Sequence, residues 1–320
     1  MIPLVSPRAL RARGILGMNQ RNVGVIGKYN PRSNYRLVDN KLRTKEAAQQ
    51  AGIPVPALYA VIERQRDASK IVETVADHAC FVVKPAQGSG GKGILVITGR
   101  KGDNYVKSSG AEITASELRR HASNILAGLY SLGGRNDAAM VEALIEFDQR
   151  LACYSYEGVP DLRIIVFHGV PVMAMMRCAT HASDGKANLH QGAVGVGLDL
   201  GTGRPVRAVQ HGQLLTAHPD TKATFSELVI PDWGNVLDLA ARCADMTGLG
   251  YLGADIVLDR ERGPVLLELN ARPGLAIQVA NQAGLAHRLA QARNIALETT
   301  DHHERINLAR RRFGLAAINP

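Results

Sequence analysis

The feature that most constrains the fold is a glycine-rich loop set between two apolar, β-branched runs. Residues 81–96 read FVVKPAQGSGGKGILV. The glycines satisfy G-x-G-x-x-G, but a dinucleotide-binding fold needs a helix directly after them, and the apolar residues that follow favour a strand. A Walker A loop needs Ser or Thr after Lys92 and then a helix, whereas Gly93 and a strand follow. The segment therefore predicts strand, flexible loop, strand.

A loop of this kind can close over phosphate groups, because glycine has no Cβ and its backbone N–H groups can approach an anion. Lys84, on the entering strand, would add a fixed positive charge. Protein kinases use a similar flap, but the chain contains neither His-Arg-Asp nor Asp-Phe-Gly. The alternative is a surface hairpin without a ligand. The predicted phosphate-binding residues are Lys84, Gly88, Ser89, Gly90, Gly91, Lys92 and Gly93.

Oxygen-bearing side chains interrupt an apolar strand pair further along the chain. Glu268 and Asn270 are two residues apart, so on a strand they leave the same face. A four-residue turn would pair Asp259 with Pro264 and thereby place Asp255 opposite Glu268. Hard Mg²⁺ prefers oxygen ligands. The pattern predicts a metal site formed by Asp255, Glu268 and Asn270; the alternative is an ordinary strand pair with its polar face in solvent.

Strand and helix patterns occur in both halves of the chain, which predicts an α+β fold of two lobes. The first 38 residues are rich in Arg, Asn, Gly and Pro, and they predict an extended basic arm. Residues 39–137 are expected to form a smaller lobe with the glycine flap. Residues 138–320 are expected to form a larger lobe with the metal site and C-terminal helices.

Arg272, just beyond Asn270, is placed to meet a developing anion.

Charge and cysteine usage narrow the possible functions. Residues 1–50 hold ten basic and two acidic side chains, which could serve nucleic acid, an acidic protein tail or small anionic ligands, or simply form a solvated arm. Nucleic acid is the less favoured partner because few aromatic residues are interleaved. No Cys-x-x-Cys pair and no membrane-spanning run occur. A reducing cytoplasm fits the four scattered cysteines, Cys80, Cys153, Cys178 and Cys243.

Taken together, these segments resemble the ATP-grasp superfamily. Within it, the chain looks like the alpha-L-glutamate ligase-like proteins related to the enzyme that adds glutamates to a ribosomal protein. The similarity covers about residues 39–275. It rests on the segments Asp39-Asn40-Lys41-Leu42, Val82-Val83-Lys84-Pro85 with its flap, Asp161-Leu162-Arg163, Asn188-Leu189-His190-Gln191-Gly192, Asp255, and Glu268-Leu269-Asn270-Ala271-Arg272-Pro273-Gly274.

The resemblance implies an ATP-grasp fold that holds ATP between its two lobes, with the usual N-terminal domain largely absent, because only about forty residues precede Lys41. It implies two Mg²⁺ ions, with Mn²⁺ as a substitute, at the three predicted metal ligands. Lys41 and Lys84 would contact phosphates, and the segment Glu142-Ala143-Leu144-Ile145 would bind adenine. The implied residues around an acyl phosphate are Arg163, Arg177, Asn188, His190 and Arg272.

The implied activity is ATP-dependent coupling of a carboxylate to an amine, with amino acids or peptides as substrates. Residues 147–160, between the adenine-binding segment and Asp161, are longer than expected and are a candidate substrate loop. Two other classes stay open: an ATP-binding regulatory or scaffolding protein without ligase activity, and a nucleic-acid-binding protein that uses the basic arm. The sequence leaves the identity of the substrates and homo-oligomerisation undecided.

Overall fold

The computed structural model describes residues 5–88, 90–131 and 133–315, which group into two compact units. The larger unit takes its described residues from Met1–Asp39, Ala47–Pro54 and Phe147–Pro320, and the smaller comprises Asn40–Glu46 and Val55–Glu146. Each unit contains a sheet and helices, as the α+β prediction requires. The division after Glu146 differs from the predicted division after residue 137, because the strand that follows residue 137 pairs within the smaller sheet.

The smaller unit is built on a six-stranded antiparallel sheet. Its strand order is β1-β6-β2-β3-β4-β5. One face packs against helical segments around Phe81, Val83, Ile97 and Leu118, all fully buried. The strands are β1 (Leu58–Ile62), β2 (Phe81–Pro85), β3 (Leu95–Lys101), β4 (Asn104–Lys107), β5 (Glu112–Ile113) and β6 (Ala139–Glu142).

The larger unit is built on a seven-stranded antiparallel sheet of order β11-β10-β9-β8-β7-β12-β13. Its central strands are almost completely buried, which explains their near-continuous apolar sequences. The strands are β7 (Asp161–Phe167), β8 (Val170–Cys178), β9 (Val194–Leu198), β10 (Pro205–Gln210), β11 (Gln213–Leu215), β12 (Tyr251–Asp259) and β13 (Gly263–Asn270).

The α-helices within the described ranges are α1 (Pro7–Ala12), α2 (Gly27–Tyr29), α3 (Tyr35–Val38), α4 (Lys41–Gln50), α5 (Ile71–Thr74), α6 (Ala115–Leu126), α7 (Trp233–Thr247), α8 (Ile277–Asn281), α9 (Leu285–Glu298) and α10 (His302–Phe313). The sequence Thr114-x-x-Glu117 forms a capping box that opens α6. Helix α4 begins at Lys41, where the Asn40 side chain accepts hydrogen bonds from the N–H groups of Leu42 and Arg43. None of the helices in the described ranges has the length and apolarity to cross a membrane.

The hairpin of β12 and β13 places the predicted metal ligands, although its turn differs from the prediction. Asp259 pairs with Gly263 rather than with Pro264. The ladder then shifts by one residue at a β-bulge, where Leu267 is the extra residue between the pairs Ile256–Leu266 and Asp255–Glu268. The predicted pairing of Asp255 with Glu268 is therefore confirmed, but through a shorter turn and a bulge.

The prediction of an extended N-terminal arm is wrong for residues 5–38. These residues form short helices and turns, and Leu16, Val25 and Ile26 are buried. The buried Asn30 side chain donates to the carbonyl oxygens of Tyr251 (2.7 Å) and Ala271 (3.2 Å) and accepts from the Tyr251 N–H (2.8 Å). A single buried polar residue such as Asn30 produces no periodic sequence pattern. The sequence of residues 5–38 therefore gives no sign that the segment is packed against the rest of the unit.

The stretch 147–160 is packed rather than open. A 3₁₀ helix at Gln149–Tyr154 buries Leu151 and Tyr154, and the N–H of Tyr156 donates to the carbonyl of Ala179 (2.8 Å). The backbone of Asp148 is tied to Leu258 (2.8 Å). Residues 147–160 therefore do not form an open loop, and the suggestion that they bind substrate stays a prediction.

Candidate functional site

A buried lysine–glutamate cluster lies on the sheet of the smaller unit. Phe81 and Val83 of β2 face the apolar core, so Lys84 leaves the other face. Its Nζ is 2.6 Å from Glu142 Oε2, and Lys45 Nζ is 2.8 Å from Glu142 Oε1. All three side chains are less than a tenth exposed. Two ammonium groups thus lie beside one carboxylate in a buried setting, where charges interact more strongly than they do in water.

Lys45 was not among the predicted site residues. It follows Lys41 by four positions in α4, so the two side chains leave the same face of the helix. That spacing was the signal available in the sequence. Lys45 also donates to the carbonyl oxygen of Pro56, which fixes its ammonium group beside Glu142.

The base of the glycine flap is held by hydrogen bonds to Lys41 and Asp137. Lys41 Nζ donates to the carbonyl oxygen of Gly88 (2.6 Å), and its N–H donates to that of Ala86 (2.8 Å). Asp137 accepts from the N–H of Gln87 (3.0 Å) and from the Ser131 hydroxyl. The predicted phosphate residue Lys41 therefore lies at the flap, in the same unit as Lys84.

The flap itself needs glycine for two reasons. Gly90, Gly91 and Gly93 have φ of 64°, 74° and 76°, which other residues rarely adopt. A Cβ on Gly93 would lie 2.5 Å from the ring of Tyr130. Lys92 is exposed. Ser89, also predicted to bind phosphate, lies outside the described residues.

The predicted adenine-binding segment continues from β6. The Glu142 carboxylate is occupied by the two lysines, and the N–H of Ala143 already donates to the carbonyl of Ala57 (2.9 Å). The half-buried Leu144 has no backbone hydrogen bond to another described residue. Compared with Glu142 and Ala143, Leu144 therefore has the backbone groups better placed to meet a base.

A second buried charge cluster lies on the sheet of the larger unit. Asp255 of β12 is directly opposite Arg163 of β7, and the Arg163 guanidinium donates to both Asp255 carboxylate oxygens. Arg177 of β8 donates to Asp255 Oδ2 (2.8 Å) and, in a two-pronged pair, to Asp161. In this structure the two arginines predicted to surround an acyl phosphate bind carboxylates instead. The four charges balance, which is what keeps them stable when buried.

The two carboxylates have different acidities because their neighbours differ. Burial raises the pKa of Asp161 to about 6, since the single guanidinium of Arg177 only partly offsets the loss of water and the Asp255 charge adds to the rise. Burial also acts to raise the pKa of Asp255, but Arg163 and Arg177 together outweigh it, so that its pKa lies below the ordinary value. Asp255 is therefore a carboxylate near neutral pH.

The other two predicted metal ligands lie beside Asp255. Glu268 is its direct cross-strand neighbour and is half-buried, and Asn270 Nδ2 is 3.3 Å from Asp255 Oδ2. A Cβ on Gly253 would approach Pro273 (2.8 Å) and the Arg163 side chain (3.3 Å), so glycine there leaves room for both. The oxygen donors fit Mg²⁺. The Asn270 contact is the longest one to Asp255 and is the one that a cation would replace most easily.

Arg272 lies just after β13 and is half-exposed. Its Nη2 is 3.0 Å from Asp39 Oδ2, and its guanidinium lies over the Tyr35 ring at 5.0 Å from the ring centre. Asp39 was part of a recognised motif but had no predicted role. Its pairing with Arg272 brings the N-terminal segment into contact with this arginine.

Asn188 and His190 form a local turn. The Asn188 side chain accepts from the N–H of His190 (3.0 Å) and so caps the 3₁₀ helix Leu189–Gln191. The His190 side chain is exposed. Neither side chain forms a hydrogen bond with Asp255, Glu268 or Asn270 within the described residues, so their catalytic roles stay predictions.

Comparison with known families decides the relationship. Residues 20–294 match the family described as sugar-transfer associated ATP-grasp. This chain belongs to that family. The match covers most of the sequence and confirms the predicted ATP-grasp relationship. It also begins at residue 20, so it includes much of the basic N-terminal segment.

Individual relatives of this ATP-grasp chain are distant. It is 25% identical over 253 residues to the ribosomal protein bS6–L-glutamate ligase of Salmonella paratyphi B, and equally to that of Salmonella newport. The alignments cover 79% of this chain, which spans about three fifths (62%) of the length of these curated relatives. The glutamate-ligase-like resemblance is thus confirmed at the level of sequence.

Solved structures are similar at lower identity. The ATP-grasp ligase PsnB complexed with a minimal precursor is 15% identical, with a TM-score of 0.48, covering 84% of this chain and 63% of PsnB. The D-alanyl-alanine synthetase A of Vibrio cholerae is 12% identical, with a TM-score of 0.47, covering 83% and 67%.

Proposed function

We propose that this chain is an ATP-dependent carboxylate–amine ligase. The proposal rests on the polar cluster of the larger sheet. Asp255, Glu268 and Asn270 lie together there, and Arg163 and Arg177 both contact Asp255. Oxygen ligands for a divalent cation and fixed guanidinium groups are what phosphoryl transfer requires of a protein. Family membership supports the same reaction class.

ATP is proposed to bind through the smaller unit. The ammonium groups of Lys45 and Lys84, with that of Lys41 at the flap, are proposed to contact the triphosphate. The N–H groups of Gly90, Gly91 and Gly93 are free of Cβ obstruction and would approach its oxygens. Leu144 is proposed to contact adenine.

Mg²⁺ is proposed to be held by Asp255, Glu268 and Asn270, where it would neutralise charge on the phosphates. One or two ions and Mn²⁺ as a substitute are both compatible with the oxygen donors. A substrate carboxylate oxygen would attack the γ-phosphorus of ATP, the bond to the ADP oxygen would break, and an acyl phosphate would form. An amine would then displace phosphate and lose a proton to water. Arg163, Arg177 and Arg272 would stabilise the developing negative charge.

The substrates are proposed to be an amino acid or peptide on each side of the new amide bond, as the name of the bS6–L-glutamate ligase relative suggests for that protein. Whether the acceptor is a protein or a metabolite is left to experiment. The cytoplasmic location expected from cysteine usage stays a prediction.

The test is a phosphate-release screen of amino acids and peptides in pairs with Mg²⁺-ATP, followed by mass measurement of the product. Glu268→Gln should lower turnover of any active pair roughly hundredfold or more, because it removes a metal ligand. Glu261→Gln is the matched control, since it changes an exposed acid at the tip of the same hairpin and should leave turnover unchanged.

Two results would reject the ligase proposal. One is tight ATP-analogue binding with no ADP formed by any substrate pair, which would favour the regulatory or scaffolding alternative. The other is a Glu268→Gln protein as active as the Glu261→Gln protein. Loss of RNA or DNA binding on neutralising basic residues of the N-terminal segment, without any ATPase activity, would instead favour the nucleic-acid alternative.

A further inference from the structure

A cavity of about 520 Å³ lies within the larger unit, between the N-terminal segment and the end of β13. Three arginines line it, one from each of three places: the π-helix Gln20–Ile26, the turn before α3, and the loop after β13. Its volume is that of a small-molecule site. The lining residues that matter here are Arg21, Asn22, Asn30, Arg32, Tyr35 and Arg272.

The wall of this arginine cavity is fixed. The buried Asn30 is hydrogen-bonded to the backbones of Tyr251 and Ala271, and Arg21 Nη1 donates to the carbonyl oxygen of Pro273 (2.9 Å). The carbonyl of Tyr29 accepts from the N–H of Gly250 (3.0 Å). A cavity held by bonds on both sides costs little reorganisation when a ligand enters.

The charge of the cavity is one-sided, because none of its lining residues is acidic. Asp39 contacts Arg272 from outside the lining, and both partners of that pair are 52% exposed. An exposed pair of this kind is worth about 0–1 kcal/mol, so an entering anion can replace it. Arg32 is exposed, and its side chain has no ion-pair or hydrogen-bond partner among the described residues. Arg21 donates three hydrogen bonds, two to Asn22 and one to Pro273, and adds a further positive charge to the cavity wall.

We propose that this cavity binds a small substrate carrying two oxyanion groups, one at Arg272 and the other at Arg32. Guanidinium groups match carboxylates and phosphates in a two-pronged geometry, and either chemistry would serve at the second group. The inference rests on the proposed ligase function, in which the oxyanion at Arg272 is the carboxylate that becomes activated. It assigns the basic N-terminal segment to substrate recognition, because Arg21 and Arg32 belong to it.

The test measures anion binding by calorimetry on the full chain without ATP, and again with Mg²⁺ and a non-hydrolysable ATP analogue. The probes are acetate, glutarate, citrate, inorganic phosphate and O-phosphoserine. Probes with two separate anionic groups should bind more tightly than acetate, and the comparison of glutarate with O-phosphoserine distinguishes a second carboxylate from a phosphate. Arg32→Gln should weaken the best probe roughly ten- to hundredfold.

Arg36→Gln is the matched control, since it removes the same charge from an exposed position of the same segment outside the cavity. Equal weakening by Arg32→Gln and Arg36→Gln would overturn the proposal in favour of diffuse attraction. Absence of saturable binding with and without nucleotide would overturn it as well. ADP formation without such binding would reject the proposed substrate-binding role of the cavity but leave the ligase function standing. Arg32-dependent binding without ADP formation would support the binding role and reject the ligase function.

Discussion

The two buried charge clusters differ in how completely they balance. On the larger sheet, Asp161 and Asp255 face Arg163 and Arg177, so the cluster is neutral before Glu268 is added. On the smaller sheet, two lysines, Lys45 and Lys84, contact the one carboxylate of Glu142. The first cluster matches its charges one for one, whereas the second places two ammonium groups around a single carboxylate. The proposed phosphate-binding role of the second cluster depends on this difference.

The largest effect is expected from Asp255→Asn. The variant leaves Arg163 and Arg177 buried with Asp161 as their remaining carboxylate, and arginine cannot lose its proton to relieve the charge. Stability should fall by about 3–5 kcal/mol. Trp233 is the sole tryptophan and is buried in α7 of the same unit, so its fluorescence in urea reports this loss. A loss below about 1 kcal/mol, comparable to that of exposed-site substitutions, would show that the arginines do not depend on Asp255.

A smaller effect is expected from Glu142→Gln. It removes the carboxylate that Lys45 and Lys84 both contact. The loss of stability should be about 2–3 kcal/mol, below that for Asp255→Asn, because Lys45 keeps its hydrogen bond to the carbonyl of Pro56. Hydrogen exchange of β2 and β6, followed by mass spectrometry, measures this loss within the smaller unit. Lys45→Met is the informative companion, because it leaves the ion pair of Lys84 with Glu142 in place: it should disturb exchange less than Glu142→Gln does, yet weaken binding of an ATP analogue. Equal destabilisation by both variants, with unchanged binding of the analogue, would contradict the proposed role of Lys45 in phosphate binding.

The smallest effect is a pH dependence from Asp161. Its pKa is raised to about 6 in the folded protein from an ordinary value of 3.8, so the folded state holds this proton more tightly than the unfolded chain. Its contribution therefore favours folding at low pH and is lost as the pH rises from 3.8 through 6. When the pH is lowered from 7.5 to 5, the free energy of unfolding of the wild type should rise by about 1 kcal/mol relative to that of Asp161→Asn.

Urea unfolding at both pH values, followed through Trp233, checks this difference. Asp255 stays ionised over the range because its pKa is lowered, so it contributes little to the comparison. A difference that stays constant, or that shrinks on acidification, would mean that Asp161 is not held in a raised-pKa environment.

Sequence patterns anticipated what is local. The strands on either side of the glycine loop and the pairing of Asp255 with Glu268 follow from patterns within short segments, although the turn that leads to this pairing is one residue shorter and the ladder carries a bulge.

What the sequence did not reveal depends on distant neighbours. The partners of Asp255 lie 92 and 78 residues away in the sequence, and nothing in the pattern of β12 indicates that β7 lies beside it. Lys45 looked like an ordinary helix former because its partner Glu142 is on another element. Arg32 and Arg272 form a cavity only because Asn30 anchors the N-terminal segment to β12 and the end of β13.

The bulge at Leu267 separates the length of the hairpin turn from the face of the sheet on which Glu268 lies. The three-residue turn alone would send Glu268 to the opposite side of the ladder, and the one extra residue returns it to the side of Asp255. The number of turn residues and the face on which Glu268 lies are thus set by different positions in the hairpin. A chain lengthened by one residue at the tip and shortened by Leu267 would keep Asp255 opposite Glu268 on a ladder without a bulge.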